Sequence, residues 1–265
     1  MTLQHSFKIS CLVLLTTIIG CMNNYSSEWY EKEHYRWRPI NVGWFRNTGF
    51  SAQSLETLGI TFSNDLTKEL ITNNRVLLNG SGVAMGDING DGLSDLYFAR
   101  LDGKNALYKN LGDWHFKDIT NQSGTACDNQ FSTGAVLVDI DGDKDLDLLV
   151  SSIGGPNALL INDGYGVFED RTLEAGFSFE SGGATMALAD IEGDGDLDIY
   201  VSNYKKLGAK DIWDPGELLF EFVVDKSGAT PRIAEEYQEH FVLETREDRL
   251  LFLEVGEKDI LLINE

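Results

Sequence analysis

The chain has 265 residues, 43 of them acidic and 21 basic, for a formal charge of −22, with 42% hydrophobic and 11% aromatic content. Length and apolar content fit a folded protein of one or two domains rather than a disordered chain. The charge excludes a nucleic-acid binder, which needs a basic face to displace counterions from phosphates. It also excludes electrostatic docking on anionic lipid, and leaves cation binding or a solvated surface.

At the N-terminus, MTLQHSFKIS carries one lysine and no acid, CLVLLTTIIG is apolar, and Cys21 follows. The apolar run is too short to span a bilayer and fits a signal-peptide core. Residues 18–21, IIGC, resemble the bacterial lipobox, in which small residues precede the cysteine that is lipidated and becomes the new N-terminus. The expectation is a signal peptide over 1–20 and lipidation at Cys21. The protein is then exported and held at the cell envelope, meeting the membrane through its lipid alone. Cys11 leaves with the signal and Cys21 is acylated, so Cys127 has no intramolecular disulfide partner. Stability must then come from elsewhere, and bound metal is one source.

Residues 21–50 read as a tether and lead-in. They hold Trp29, Tyr30, Tyr35, Trp37, Trp44 and Phe45, but acids alternate with the arginines and no basic patch forms. Packing against the first repeat is the expected use of these rings, ahead of a stacking platform for sugars or bases.

From Gly80 the sequence repeats. GSGVAMGDINGDGLSDLYFAR, STGAVLVDIDGDKDLDLLVSS and GGATMALADIEGDGDLDIYVSN begin at Gly80, Ser132 and Gly182. Their first aspartates, Asp87, Asp139 and Asp190, lie 52 and 51 residues apart. Downstream, NALYKNLGDWHFKDIT aligns with NALLINDGYGVFEDRT. Each unit opens with an apolar run such as GVAMG or GAVLV, expected to be a buried inner strand. The acidic loop, a second strand such as DLYFA, a third such as ALYKN, and a fourth such as FKDIT complete it. A period near fifty with four short strands is the scale of a propeller blade.

Aligned, the loops present oxygen side chains at positions 1, 3, 5 and 9: Asp87, Asn89, Asp91 and Asp95; Asp139, Asp141, Asp143 and Asp147; Asp190, Glu192, Asp194 and Asp198. Position 7, held by Leu93, Asp145 and Asp196, offers a backbone carbonyl, so its side chain is free to vary. Calcium takes six to eight hard oxygen ligands in a flexible shell, and an alternating acidic loop supplies them from one segment. Magnesium, with its rigid octahedron and retained waters, suits it less. An EF-hand is excluded: position 12 is Phe98, Val150 or Val201 where that loop needs a bidentate glutamate. Position 6 is Gly92, Lys144 and Gly195; if positive φ is needed there, Lys144 carries strain on the order of 1 kcal/mol.

These loops and flanking strands resemble the calcium-binding FG-GAP (VCBS, integrin-alpha-like) repeats of β-propellers. With GITFSNDL from Gly59, they are similar to the bacterial cartilage-acidic-protein-like group, whose longer members end in an ASPIC/UnbV domain. The resemblance covers about residues 50–205 and returns at EKDILLINE, residues 257–265. It implies an all-β, partial β-propeller of about three four-stranded blades over 51–265, with about three Ca²⁺ sites.

The third unit departs after Asn203, where an insertion over about 204–256 precedes the next strand. Within it ELLFEFVV reads as a strand, and PRIAEEYQEHFV as a helix opened by proline. Glu265 comes before a fourth strand, so the expectation is a truncated product, or a segment completed by another chain. No enzyme is expected. His34, His115 and His240 are scattered, and no nucleophile elbow, phosphate loop or HExxH motif occurs. The resulting expectation is a calcium-stabilised, lipid-anchored binding or adhesion module for a protein or glycan ligand. The alternatives are a non-functional fragment, or part of a propeller enzyme whose catalytic residues lie elsewhere.

Overall fold

Along residues 80–203, β-branched, aliphatic and aromatic runs alternate with glycine, asparagine and aspartate, and the chain there forms short antiparallel strands. The computed structural model describes residues 30–31, 36–37 and 50–264. The chain divides into residues 1–52 and 53–265. In the first unit, β1 (Tyr30–Glu31) pairs antiparallel with β2 (Arg36–Trp37). The signal segment, Cys21, Trp29, His34, Tyr35, Trp44 and Phe45 lie outside the described residues.

In the second unit, β3 (Val83–Gly86), β4 (Asp95–Phe98), β5 (Ala106–Asn110) and β6 (Phe116–Asp118) form a four-stranded sheet in sequence order. The arrangement recurs in β7 (Ser132–Val138), β8 (Asp147–Pro156), β9 (Ala158–Asn162) and β10 (Phe168–Asp170). A third sheet opens with β11 (Glu180–Ala189) and β12 (Asp198–Asn203), and a short β8–β11 ladder joins it to the second. The fold is all-β, a stack of propeller-type sheets that does not close into a barrel among the described residues.

The sheets pack face to face. Tyr97 and Leu107 of the first meet Leu148, Val150 and Leu160 of the second. On its other face the second offers Leu149 and Leu159 to Met186, Ile199 and Val201 of the third. Each such side chain contributes roughly 1.5–3 kcal/mol relative to exposure. Where the inner strands begin, backbones nearly touch: a Cβ on Gly82 would stand 2.9 Å from the Gly134 Cα. The GVAMG strand is not the buried strand its composition predicts. Ala84 is buried, but Val83 and Met85 point away from the second sheet and are exposed.

The insertion forms a small core of its own around Ala209, Val223, Val224, Ile233, Tyr237 and Phe241. Both sequence expectations within it change. Residues 217–224 give a one-turn helix, Phe220–Val223, running into β13 (Val224–Asp225). No helix follows Pro231: β14 (Arg232–Ile233) pairs with β13, and a 3-10 turn covers Glu235–Tyr237. Ile233, Tyr237 and Phe241 have helical spacing and are all buried, but the Ile233 backbone is committed to the β13 ladder. A hairpin then forms from β15 (Phe241–Arg246) and β16 (Arg249–Glu254), turning at Glu247 and Asp248, whose φ values are 47° and 60°. Paired positive φ is the mark of a turn matched to strand twist.

Beyond it, β17 (Ile260–Leu262) pairs with β12 as Ile199 with Leu262 and Val201 with Ile260. This is the register of Leu148 with Leu160 and Val150 with Ala158 one sheet earlier, despite the long insertion. The insertion's ends meet: the Glu257 amide donates to the Tyr204 carbonyl at 2.7 Å, and Glu257 accepts from Gly182 and Lys206. Buried Lys205 pairs with Glu254 at 2.8 Å. Because closing a loop costs little once its ends are pinned, replacing residues 206–255 by a short glycine turn is expected to leave the sheets folded. A cooperative melt with unchanged β-type circular dichroism checks this; an unfolded product would show that the insertion's core holds the third sheet together.

Candidate metal centre

Each acidic loop lies between the first two strands of its sheet. Position 9 is the most buried: Asp95 and Asp147 are 0% exposed and Asp198 is 2% exposed. Each of these carboxylates bridges two backbone amides. Asp95 accepts from Ile88 at 3.0 Å and Asn110 at 2.7 Å, and Asp147 from Ile140 at 3.0 Å and Asn162 at 2.9 Å. Asp198 accepts from Ile191 at 2.8 Å and Asn264 at 3.0 Å. Position 9 therefore ties the start of the loop to the end of the third strand.

The loop winds around position 1. Asp87 accepts from Gly92 at 2.7 Å and Asp91 at 3.2 Å; Asp139 from Gly142 at 2.8 Å and Lys144 at 3.0 Å. Asp190 likewise accepts from Gly193, Asp194 and Gly195. Position 5 receives the amide of position 7 at 3.0–3.1 Å in all three loops, Asp91 from Leu93, Asp143 from Asp145 and Asp194 from Asp196. Position 6 has φ of 84° at Gly92, 83° at Lys144 and 106° at Gly195. The middle loop thus holds a lysine in the left-handed region, with its side chain exposed. Lys144→Gly is expected to stabilise the protein by on the order of 1 kcal/mol in chelator, read from urea midpoints. No gain would mean that the loop relaxes around the lysine at no cost.

The middle loop also brings its acids together most closely. One oxygen from each of Asp139, Asp141 and Asp147 falls within 4.8 Å of the others, and this is the one such group of acids found among the described residues. Beside it, Asp145 Oδ1 is buried without a hydrogen-bond partner. Burial, and then the charges of Asp143 and Asp147, push the Asp145 carboxyl up to about 6. Burial likewise raises Asp95 and Asp147 against the amide bonds that lower them. Converging carboxylates with an orphaned buried oxygen are a donor set that fits a hard cation. In the first loop Lys109 stands 3.4 Å from Asp91 and supplies part of the countercharge. In the third, Glu192 is exposed and joins no cluster among the described residues.

A carboxyl raised in the folded state binds its proton more tightly there than in the unfolded chain, so stability falls as pH rises between the two values. Metal-free protein is therefore expected to lose stability from about pH 4 to about pH 6, the window set by an ordinary Asp and by Asp145 at about 6. Urea midpoints across that range check it, and a rising midpoint would contradict the crowding.

One set of residues had no role assigned from sequence. Asn162 Nδ2 donates to the Leu146 carbonyl of its own sheet at 3.0 Å and to the Ile88 carbonyl of the preceding sheet at 2.8 Å. Asn264 repeats the crossing, to the Ile140 carbonyl at 3.4 Å. Asn110 donates to the Ser94 carbonyl at 3.0 Å. The signal was the asparagine ending each aligned ALYKN, ALLIN and LLIN strand. Asn162→Ala leaves buried carbonyls without a donor and is expected to cost about 1–3 kcal/mol. Exposed Asn129→Ala is the control.

His115 sits in the turn before β6 with Nδ1 against the Asp113 carbonyl, and His240 packs edge-on against Trp213 at 4.9 Å. Cys127 is a free thiol in the first core, raised by burial to about 11. No helix among the described residues is long and apolar enough to cross a membrane.

Stacked antiparallel sheets, each with an acidic loop between its first two strands, define a propeller-type repeat protein. The FG-GAP-like repeat model matches residues 87–150 and again 139–201, so this part of the chain carries FG-GAP-like repeats. It is 30% identical to cartilage acidic protein 1 of Xenopus tropicalis over 127 residues, 47% of this chain and 20% of that protein. To the human protein of that name it is 29% identical over 126 residues, 47% of this chain and 19% of the relative. The match thus spans about a fifth of the length of these relatives. Repeats of this kind are interaction modules in class.

Proposed function

We propose that this chain is a calcium-stabilised interaction module, exported and held at the cell envelope through a lipid on Cys21. The observation that carries the calcium reading is the convergence of Asp139, Asp141 and Asp147 beside the unpartnered Asp145 oxygen. Asp139, Asp141, Asp143 and Asp147 would hold the middle ion, Asp87, Asn89, Asp91 and Asp95 the first, and Asp190, Glu192, Asp194 and Asp198 the third. The carbonyls of Leu93, Asp145 and Asp196 would add one ligand each. A bound cation neutralises the crowded carboxylates. The chain's own part is positional: position 9 fixes each loop to its sheet, and Asn162 and Asn264 tie the first and middle loops to the sheet that follows each. The surface available to a protein or glycan ligand is thereby held in shape, and no residue is assigned a reaction.

Calorimetric titration of chelator-stripped protein tests the metal reading; about three calcium ions per chain are expected, and no heat of binding would end it. The anchor is tested separately by Cys21→Ala, which should move the protein from the membrane fraction to the soluble fraction. Glycan-array binding that requires calcium would identify the ligand class as sugar; a calcium-dependent protein contact would identify it as protein.

A further inference from the structure

We infer that the Asn89–Gly90 peptide of the first acidic loop is a site of spontaneous deamidation, which turns the one neutral side chain among the oxygen-bearing positions into a carboxylate. Positions 1, 3, 5 and 9 of the other two loops are all acids, with Asp141 and Glu192 at position 3. The first loop alone has an amide there, and a glycine follows it directly. Having no Cβ, glycine leaves its own backbone nitrogen open to approach by the preceding side chain.

The fold leaves that nitrogen free in this loop and ties it down in the other two. Gly142 donates to Asp139 at 2.8 Å and Gly193 to Asp190 at 2.6 Å. In the first loop Asp87 Oδ1 takes the Asn89 and Asp91 amides instead, at 3.3 and 3.2 Å. No acceptor meets the Gly90 amide among the described residues. Gly90 is exposed with a φ of 71°, and a Cβ built on it would meet nothing within 4 Å. The electrophile lies beside it. Asn89 Oδ1 accepts the Asp91 amide at 3.2 Å, which folds the side chain back over the Gly90 peptide and brings the reacting atoms together. The same donor stabilises the negative charge that develops on Oδ1 during attack. The chain's other Asn-Gly pair lacks this arrangement: Asn79 ends the 3-10 helix Arg75–Asn79, and the Gly80 amide donates to the Leu77 carbonyl at 3.4 Å.

The Gly90 nitrogen gives its proton to solvent base and bonds to the Asn89 side-chain carbonyl carbon. The bond from that carbon to Nδ2 breaks, and ammonia leaves with a proton from solvent. Water then opens the resulting succinimide by breaking one of its two carbonyl–nitrogen bonds. Opening on the side-chain side gives aspartate, and opening on the main-chain side gives isoaspartate. Both put a carboxylate at position 3, so the first loop acquires the charge of its siblings without any enzyme or oxidant. A consequence that rests on the calcium reading is that the first loop binds calcium more tightly once converted, because affinity follows ligand charge.

The test incubates chelator-stripped full-length protein in mildly alkaline buffer and follows both Asn-Gly peptides by mass spectrometry, with fragmentation that separates aspartate from isoaspartate. Asn89 is expected to convert well ahead of Asn79 in the folded protein, and the two to convert at similar rates in urea. Equal rates in the folded protein, or conversion of Asn79 first, would overturn the proposal, as would an unchanged Asn89. The Asn89→Gln variant, whose longer side chain closes a less favourable ring, should stay unconverted at that position. Calorimetric titration then compares Asn89→Asp with fresh unconverted protein. One site roughly tenfold tighter is expected from the added ligand charge, and identical affinities would remove the consequence. No calcium heat from either protein would end the calcium reading, while the peptide map by itself decides the modification.

Discussion

Calcium added to metal-stripped protein is expected to raise its Tm by about 15–30 °C, with magnesium giving a small part of that. A ligand at a hundred times its Kd stabilises by about 2.7 kcal/mol per site, so three sites supply about 8 kcal/mol. For a chain of this size each kcal/mol moves Tm by roughly 2–4 °C. The distinction between ions follows from the loops. Their acids project from a turning backbone at alternating residues, a shell that accommodates seven or eight loosely placed oxygens better than a strict octahedron. Scanning calorimetry with each ion in turn reads the result. Equal shifts for both would remove the calcium assignment, and no shift for either would leave the loops as solvated turns.

The second large effect is expected at Asp147. Its carboxylate is 0% exposed and takes the Ile140 and Asn162 amides. Asp147→Ala orphans two buried donors, each costing about 1–3 kcal/mol, so about 2–6 kcal/mol is lost even in chelator. In calcium the loss should be larger, because the middle cluster also loses a ligand. Asp139→Ala separates the two contributions: its carboxylate holds exposed loop amides, so its cost in chelator should be small and its cost in calcium large. Urea unfolding of both variants, with and without calcium, measures the four values. Equal losses in the two conditions would mean that the carboxylates serve the fold alone.

The long-range pairing of the third sheet is legible in the sequence. The resemblance returns at EKDILLINE after the insertion, and β17 in that segment pairs with β12 in the register of the second sheet. The positive φ at Lys144 is legible too, because its position is glycine in both sibling loops. Inside the insertion the sequence says less. Ile233, Tyr237 and Phe241 are spaced as on a helix, yet they reach one core from a strand, a 3-10 turn and a hairpin. Periodicity reports which side chains are buried, but not which backbone partner satisfies the amides between them.

By itself the sequence determined the repeat, its period and the oxygen-bearing loop positions, because these are local patterns that recur in one chain. Tertiary structure alone decided what each residue does in place. Asp95, Asp147 and Asp198 turned out to be buried bridges between amides, and Asn162 and Asn264 bonds from one sheet to the next. Such roles depend on partners up to 124 residues away, brought near only when the sheets stack. The same stacking buries Leu148 and Leu149, adjacent in one strand, in two different cores. Burial is a property of neighbours, and a repeat read along the chain does not say where its neighbours end.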